Sequence, residues 1–220
     1  MTALIEAHPY NSSELIPKGT CLLIIGTAPP PRFSELPPKP FLSGDIDFFY
    51  GSKDNQLWSM ILPKLYEREF LLPSPDDSLK ACRDFLSSHK IWMVDVLQSY
   101  KRTKPQSAKD SDLDPITYTE FRPIFEQHTT IDTLVLTGGR AEEWTGNKLE
   151  NERLIGPGDF WRNGKSVMPR LRKLDFGIDG TRREIQVFTL PSPSRASDRR
   201  YKNSKLNWYG EVLLRRCPRI

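Results

Sequence analysis

The chain has 220 residues, a formal net charge of +4 and 37% hydrophobic residues. That length allows one domain of ordinary size with a real core, and no apolar run reaches the length needed to span a membrane. Three scattered cysteines and three histidines exclude a four-thiolate cluster and a disulfide framework, so we expect no metal and no cofactor.

The predicted elements alternate between strands and helices along the chain. Continuous apolar runs predict buried strands, and they cover residues 21–26, 91–97, 131–136 and 184–190. Capping residues and N-terminal prolines predict helices at about 54–66, 76–90, 115–128, from 140 onward and 201–216. Residues 28–47 and 101–114 are predicted loops, and Asp179-Gly180 predicts a hairpin turn between residues 171–176 and 183–190.

This alternation predicts an α/β fold, with three α/β/α layers around a central, mostly parallel, four-stranded sheet. We expect residues 1–17 to form a peripheral N-terminal segment and residues 18–220 to form a single domain. In such sheets a ligand binds beyond the carboxyl ends of the strands. The loops expected at that edge are 27–55, 137–140 and 191–198.

Positive charge is concentrated near the C-terminus. From Trp161 to Ile220 there are 15 Lys and Arg residues against 5 Asp and Glu residues, so this part carries +10 and the rest −6. A split of this kind suggests a face made for an anionic polymer. A solvated basic surface without a partner is an equally open interpretation of charge alone.

Two motifs near the first strand carry candidate chemistry. Gly26-Thr27-Ala28-Pro29 ends the strand, where glycine permits a sharp turn and exposes backbone N–H groups. In the run F-F-Y-G-S-K-D-N-Q-L-W, Tyr50 offers a ring that can stack on a base, and Asn55 offers an uncharged donor and acceptor. A structural turn, a core aromatic residue and a helix N-cap are the alternative interpretations.

A third motif follows the last strand and leads into the basic region. The run L-P-S-P-S-R contains Ser192, Ser194 and Arg195, and it precedes the basic residues Arg199, Arg200, Lys202 and Lys205. Hydroxyl groups and backbone N–H groups bind phosphate oxygens, and Arg and Lys add salt-sensitive attraction. The alternative is an ordinary Pro-Ser loop before a basic helix.

The order of these motifs resembles the uracil-DNA glycosylase superfamily, from about Leu22 to Trp208. The order is G-T-A-P, F-F-Y-G-S-K-D-N-Q-L-W, I-W-M-V-D-V-L and L-P-S-P-S-R. Within the superfamily the chain looks most similar to the branch of hypoxanthine-DNA glycosylases, with the mismatch-specific, Mug-like enzymes as near relatives. The resemblance implies a monofunctional, metal-independent DNA glycosylase of base excision repair that acts on uracil or hypoxanthine flipped out of DNA.

The resemblance also implies roles for single residues. Asn55 matches the asparagine that this branch needs for activity, and Tyr50 matches the aromatic residue that stacks on the flipped base. The other residues expected to contact the base are Gly26, Thr27, Ala28 and Ser192. The residues expected to contact DNA are Ser194, Arg195, Ala196, Arg199, Arg200 and Lys202. Asp95, at the end of the second strand, is expected to support the site rather than to act catalytically.

The chain departs from the superfamily pattern at several positions of these motifs, among them Arg195, where relatives often have Gly or Pro. Many members have Asp or Asn where Ala28 stands, and the classical uracil enzymes have His where Leu190 stands. Ser52-Lys53 replaces the usual His-Pro before the key asparagine. A catalytically inactive nucleic-acid binder and an enzyme acting on free nucleosides or nucleotides therefore stay open as alternatives.

DNA is the expected partner, and we expect a monomer without membrane contact. The N-terminus lacks a signal-peptide pattern. We therefore expect the protein in the cytoplasm or associated with the nucleoid, or in the nucleus of a eukaryote.

Overall fold

The computed structural model describes residues 4–34, 40–161, 169–178, 180–201 and 203–218. The strands of this part are β1 (Glu6–Ala7), β2 (Leu22–Gly26), β3 (Ile91–Asp95), β4 (Leu97–Arg102), β5 (Leu113–Tyr118), β6 (Thr133–Thr137), β7 (Arg170–Ile178) and β8 (Thr181–Leu190). The helices are α1 (Pro31–Ser34), α2 (Leu62–Tyr66), α3 (Pro75–Ser88), α4 (Phe121–Gln127), α5 (Gly139–Asn151), α6 (Asp198–Tyr201) and α7 (Lys205–Arg216). A π-helical turn, Leu57–Ile61, leads directly into α2.

The central sheet has the strand order β3-β2-β6-β8-β7. The first four of these strands pair in parallel, and β7 pairs with β8 in the antiparallel sense. Every residue of β2, β3 and β6 is buried, as expected for parallel strands covered on both faces. Helices flank the sheet, with α3 against β3, α5 against β6 and α7 against β8. The predicted α/β fold with a mostly parallel sheet is therefore confirmed.

The prediction of four strands in this sheet was wrong, since β7 is a fifth. Its residues alternate between exposed and buried positions, with Arg172, Leu174 and Phe176 facing inward. This alternation is typical of an antiparallel strand at the edge of a sheet rather than of a fully buried one. The hairpin that joins β7 to β8 was predicted, but its turn residue Asp179 lies outside the described residues.

A second, three-stranded antiparallel sheet has the order β1-β4-β5. The sequence prediction placed a loop at residues 101–114 and a helix from Pro115, and both assignments were wrong in part. Pro115 lies within β5, and the helix begins only at Phe121. Because β4 and β5 are partly exposed and polar, they lack the apolar run by which buried strands are recognised.

Residues 4–17 contribute buried side chains to both sheets. Strand β1 pairs with β4, and Glu6 forms a buried ion pair with Arg102 at 3.1 Å. Further along, Nε2 of His8 lies 2.8 Å from Oδ2 of Asp95, the last residue of β3. The N-terminal segment therefore supports the strand end from which the candidate site is built.

Within the described residues no helix is long and apolar enough to cross a membrane. The same residues contain no group of three or more His, Cys, Asp or Glu side chains placed to hold a metal ion.

Candidate functional site

Four parallel strands end at the same edge of the central sheet. The register pairs Gly26 with Asp95 and Thr137 with Leu190, and β2 and β6 run in step beside each other. Across this edge the strand ends therefore follow the order Asp95, Gly26, Thr137 and Leu190. This is the edge at which the sequence analysis expected a ligand.

Gly26 is required because side chains from two other segments converge on it. A Cβ atom at this position would collide with Oδ1 of Asp95 and would lie 2.5 Å from the hydroxyl oxygen of Tyr50. The next residue, Thr27, donates a hydrogen bond from Oγ1 to Oδ1 of Asp110 at 2.7 Å. Ala28 is partly buried and packs against the hydrophobic core. The first motif thus brings a phenol and two carboxyl groups to one strand end.

Tyr50 lies over the strand ends with its hydroxyl group pointing inward. Its hydroxyl oxygen is 3.1 Å from Oγ1 of Thr137, and its backbone has a φ of 55°, in the left-handed region that non-glycine residues rarely adopt. Burial and the nearby charge of Asp95 raise the pKa of Tyr50 well above its ordinary value. The phenol is therefore neutral at physiological pH, and its ring is only partly exposed.

Asn55 begins the helical segment that continues into α2. Its Oδ1 accepts a hydrogen bond from the backbone N–H of Leu57 at 2.9 Å, as a helix-capping side chain does. Within the described residues its Nδ2 has no hydrogen-bond partner and remains available as a donor. The capping interpretation and the ligand-binding interpretation of Asn55 are therefore compatible.

The Ser-Pro loop after β8 is joined directly to the segment that carries Asn55. Asn55 and Ser194 form an isolated antiparallel β-bridge, and the backbone N–H of Gln56 donates to the carbonyl of Pro193 at 2.9 Å. Within the loop, Oγ of Ser197 donates to the carbonyl of Ser192 at 2.6 Å. Two segments far apart in sequence therefore form one wall.

Lys205 holds this wall together, although the sequence analysis grouped it with the phosphate-binding cations. It is fully buried, and its Nζ donates to Oε1 of Gln56 at 2.9 Å, to the carbonyl of Ser194 at 2.8 Å and to Oδ1 of Asp198 at 2.7 Å. The expectation that Lys205 adds attraction to phosphate was wrong because every proton of its ammonium group is already used inside the protein.

A cavity of about 680 Å³ opens beside this wall at the carboxyl ends of β6 and β8. It is lined by Asp110, Thr137, Gly138, Gly139, Arg170, Pro191, Ser192, Ser197, Arg200, Tyr201, Ser204 and Trp208. Of the residues expected to contact the base, Ser192 lines the cavity directly. Tyr50 and Asn55 lie beside the lining rather than in it: Tyr50 contacts the lining residue Thr137, and Asn55 bridges to Ser194, two residues after the lining residue Ser192. The predicted sandwich of a flat ring between Tyr50 and Asn55 stays a prediction.

The described residues expected to contact DNA lie in the Ser-Pro loop and in α6. Arg195 and Ala196 form an exposed turn, and Arg199 and Arg200 are exposed in α6. Of these, Arg200 also lines the cavity. Lys202 lies outside the described residues.

Asp110 is the carboxylate among the cavity residues that the sequence analysis missed. It lies in the turn between β4 and β5, which had been predicted as a polar loop, and 83 positions separate it from its partner Thr27. No local pattern distinguishes it from the neighbouring acidic residues of the run D-S-D-L-D. Only the folded hairpin reveals it as part of the site.

The architecture defines an α/β protein whose polar groups gather at the carboxyl edge of a mostly parallel sheet. No family model matches the sequence, and no curated protein matches it. A comparison with solved structures finds a chain with a TM-score of 0.59 and 16% identity, and the match covers 97% of this protein and 99% of that chain. That structure, solved by solution NMR, is a "putative Uracil DNA glycosylase" from Methanosarcina acetivorans. At this identity the likeness shows a shared fold, and the branch named in the sequence analysis stays a prediction.

Proposed function

We propose that this protein is a DNA glycosylase that hydrolyses the N-glycosidic bond of a deaminated or mismatched base, uracil or hypoxanthine, flipped out of DNA. The observation that carries the proposal is the wall in which the Asn55 segment and the Ser-Pro loop are joined beside the cavity. The shared fold described above supports the same class of activity. A base removed from the stack needs a pocket of this kind because its glycosidic bond is inaccessible inside a duplex.

The outer face of the Ser-Pro loop would bind the DNA backbone. Arg199 and Arg200 are exposed and carry positive charge toward solvent, so they attract phosphate groups without fixing the base sequence. The turn at Ser194, Arg195 and Ala196 would enter the space left by the flipped nucleotide from the minor groove. Arg200, which also lines the cavity, would connect phosphate binding to base binding.

Neutral groups would bind the departing base. Cleavage of the bond leaves negative charge on the base, and preorganised donors in a site without competing water stabilise that charge. The Nδ2 of Asn55 and the backbone N–H groups at Thr27 and Ala28 would serve as these donors. Tyr50 would stack on the base while its hydroxyl group stays bonded to Thr137.

The reaction would be monofunctional, without a covalent lysine intermediate. A Schiff base needs a lysine with a free amine near the sugar. Lys205 is committed to three internal hydrogen bonds, and Lys53 lies 3.2 Å from the carboxylate of Asp54 on the exposed side of its loop.

Base release from a panel of DNA duplexes tests the proposal. Each duplex carries one uracil, one hypoxanthine or one G·T mismatch, with an undamaged duplex as reference, and free base is measured in single-turnover reactions. We expect release by the wild-type protein and a loss of about 100-fold or more in Asn55→Ala, the magnitude typical of a lost charge-stabilising donor. Salt-sensitive DNA binding without release from any duplex would instead favour the catalytically inactive binder.

Two further variants separate chemistry from folding. Asn55→Ser keeps an oxygen that can cap the N–H of Leu57 but lacks the amide donor, so we expect it to be as inactive as Asn55→Ala and more stable. Asn147→Ala changes an exposed asparagine of α5 and should leave base release unchanged. An active Asn55→Ser would remove the amide group from the mechanism.

A further inference from the structure

Hydrolysis of a glycosidic bond needs a group that orients a water molecule and accepts its proton. An asparagine side chain cannot accept that proton at neutral pH, and Ala28 offers no polar side chain at the end of β2. Among the described residues that line the cavity, Asp110 is the only carboxylate. The chemistry that the proposed function requires therefore has one candidate in this cavity.

The structure holds the Asp110 carboxylate at the strand ends from outside the central sheet. Asp110 lies in a short 3₁₀ turn between β4 and β5, and Oγ1 of Thr27 donates to its Oδ1 at 2.7 Å. Thr27 itself is fixed, because its carbonyl accepts the backbone N–H of Leu97 at 3.2 Å. Only one oxygen of the carboxylate is used in this contact, so the other remains available to a water molecule in the cavity.

A second carboxyl group, Asp95, stands beside Asp110 and is held in place by hydrogen bonds from the N-terminal segment. The Nδ1 atom of His8 lies 3.1 Å from the backbone nitrogens of both Tyr10 and Asn11, whose N–H groups donate to it. The proton of the neutral ring must then be on Nε2, which donates to Oδ2 of Asp95 at 2.8 Å. The side chain of Asn11 also binds the backbone of Asp95 at two points: its Nδ2 donates to the carbonyl of Asp95, and its Oδ1 accepts from the N–H of Asp95.

These surroundings raise the pKa of Asp110 above its ordinary value. Burial is the largest influence on the pKa of Asp110 and raises it, and the charge of Asp95 raises it further. The hydrogen bond from Thr27 and the charges of Arg140 and Arg102 lower the pKa, but the net shift is upward. The other titratable or charged groups near it are Tyr50 above the strand ends and, on the cavity wall, Arg170 and Arg200. A carboxylate of raised pKa that also lines the cavity is better suited to accept a proton than an ordinary aspartate.

We propose that Asp110 is the catalytic base of this site, and the assignment rests on the proposed glycosylase function. The oxygen of a water molecule bound to Asp110 forms a bond to C1′ of the flipped nucleotide while the bond from C1′ to the base nitrogen breaks. The electron pair of that bond leaves with the base. The proton of the water passes to the Asp110 carboxylate and then to solvent, and the base takes up a proton from solvent. Asp95, held by His8, acts as a positioning residue at the strand ends beside Asp110.

The test is the pH dependence of single-turnover base release by wild type, Asp110→Asn, Thr27→Val and the control Asp114→Asn, which changes an exposed carboxylate of β5. In the wild type we expect the rate to rise with pH through an apparent pKa above the ordinary aspartate value of about 3.9. Asp110→Asn should be slower by about 100-fold or more and should lose this rise. Thr27→Val removes a contact that lowers the pKa of Asp110, so its acid limb should move to higher pH.

Binding and folding measurements keep the outcomes separable. Asp110→Asn removes a negative charge from the cavity, so its affinity for a lesion duplex should equal or exceed that of the wild type. Wild-type base release together with an unchanged rate and pH profile in Asp110→Asn would overturn this role while leaving the glycosylase function intact. If Asp110→Asn does not fold, Thr27→Val provides the test. A rise of its rate with pH at the same pH as in the wild type would also overturn the role of Asp110 as the base. No release by the wild type from any duplex would refute the proposed function itself and this role with it.

Discussion

The Lys205→Met substitution tests whether the wall of the cavity depends on one buried cation. Lys205 is fully buried, and its ammonium group joins Gln56, the carbonyl of Ser194 and Asp198. Methionine preserves most of the length and apolar volume of the side chain, so packing against α7 is largely kept. The substitution leaves three acceptors without their shared donor.

The magnitude follows from the exposure of the partners. Loss of one partner from a buried ion pair costs about 3–5 kcal/mol. The Asp198 side chain is 23% exposed and still accepts a hydrogen bond from Nε2 of Gln56 at 2.9 Å. Water and Gln56 therefore compensate in part for the lost ammonium group. We therefore expect a loss of about 3 kcal/mol in the free energy of unfolding, or about 6–12 °C in Tm for a chain of this size.

Urea denaturation at neutral pH, followed by circular dichroism, measures this loss. Lys173→Met is the matched control, since Lys173 forms an exposed pair with Glu184 at 2.9 Å and should contribute less than about 1 kcal/mol. In the background of Asp198→Asn the cost of Lys205→Met should shrink, because the charged partner is already absent. A Lys205→Met protein as stable as the Lys173→Met control would refute the argument that Lys205 clamps the two segments.

Two other predictions follow from the geometry of the site. Burial raises the pKa of Asp45, but hydrogen bonds from Arg32 and two backbone N–H groups outweigh it and lower the pKa below the ordinary value. Asp45→Asn should therefore lower the free energy of unfolding by about 2 kcal/mol at pH 7. In urea titrations this difference from the wild type should vanish as the pH falls below about 3.9, because the wild-type carboxylate then becomes protonated. A difference that does not change with pH would contradict this prediction. Gly26→Ala should lower the free energy of unfolding by about 1–3 kcal/mol and abolish base release, because the new Cβ atom collides with Asp95. Gly177→Ala is the control, since its Cβ atom enters open space. Equal thermal stability of the two variants would argue against the close approach of Asp95 to Gly26.

The sequence predicted the central sheet well because its parallel strands are continuous apolar runs. The residues of β2, β3 and β6 are buried on both faces, and such strands can be recognised without knowledge of their neighbours. The second sheet escaped prediction because β4 and β5 are short, polar and partly exposed. Pro115 was interpreted as a helix start, but it lies in an antiparallel strand at the edge of the sheet, a position that tolerates a missing N–H.

The candidate site divides in the same way between local and distant information. Tyr50, Asn55 and Ser192 lie in motifs that can be recognised within a few residues. Thr27 and Asp110 are 83 positions apart and His8 and Asp95 are 87 apart, and nothing in either local sequence specifies the partner. The groups most relevant to proton transfer were therefore the ones that sequence reasoning could not assemble.

Lys205 is different, since a local signal for its burial was present. It lies four positions before Tyr209 and eight before Leu213, and all three residues fall on the buried face of α7. The helical period places positions i, i+4 and i+8 on one face, so a lysine in this register must either disrupt the core or find an acidic partner there. Asp198 is the nearest preceding acidic residue and supplies that partner. Arg200 lies in the short helix α6, before α7 begins, and stays exposed. The position of Lys205 within α7, rather than the local density of positive charge, therefore explains why this cation is buried.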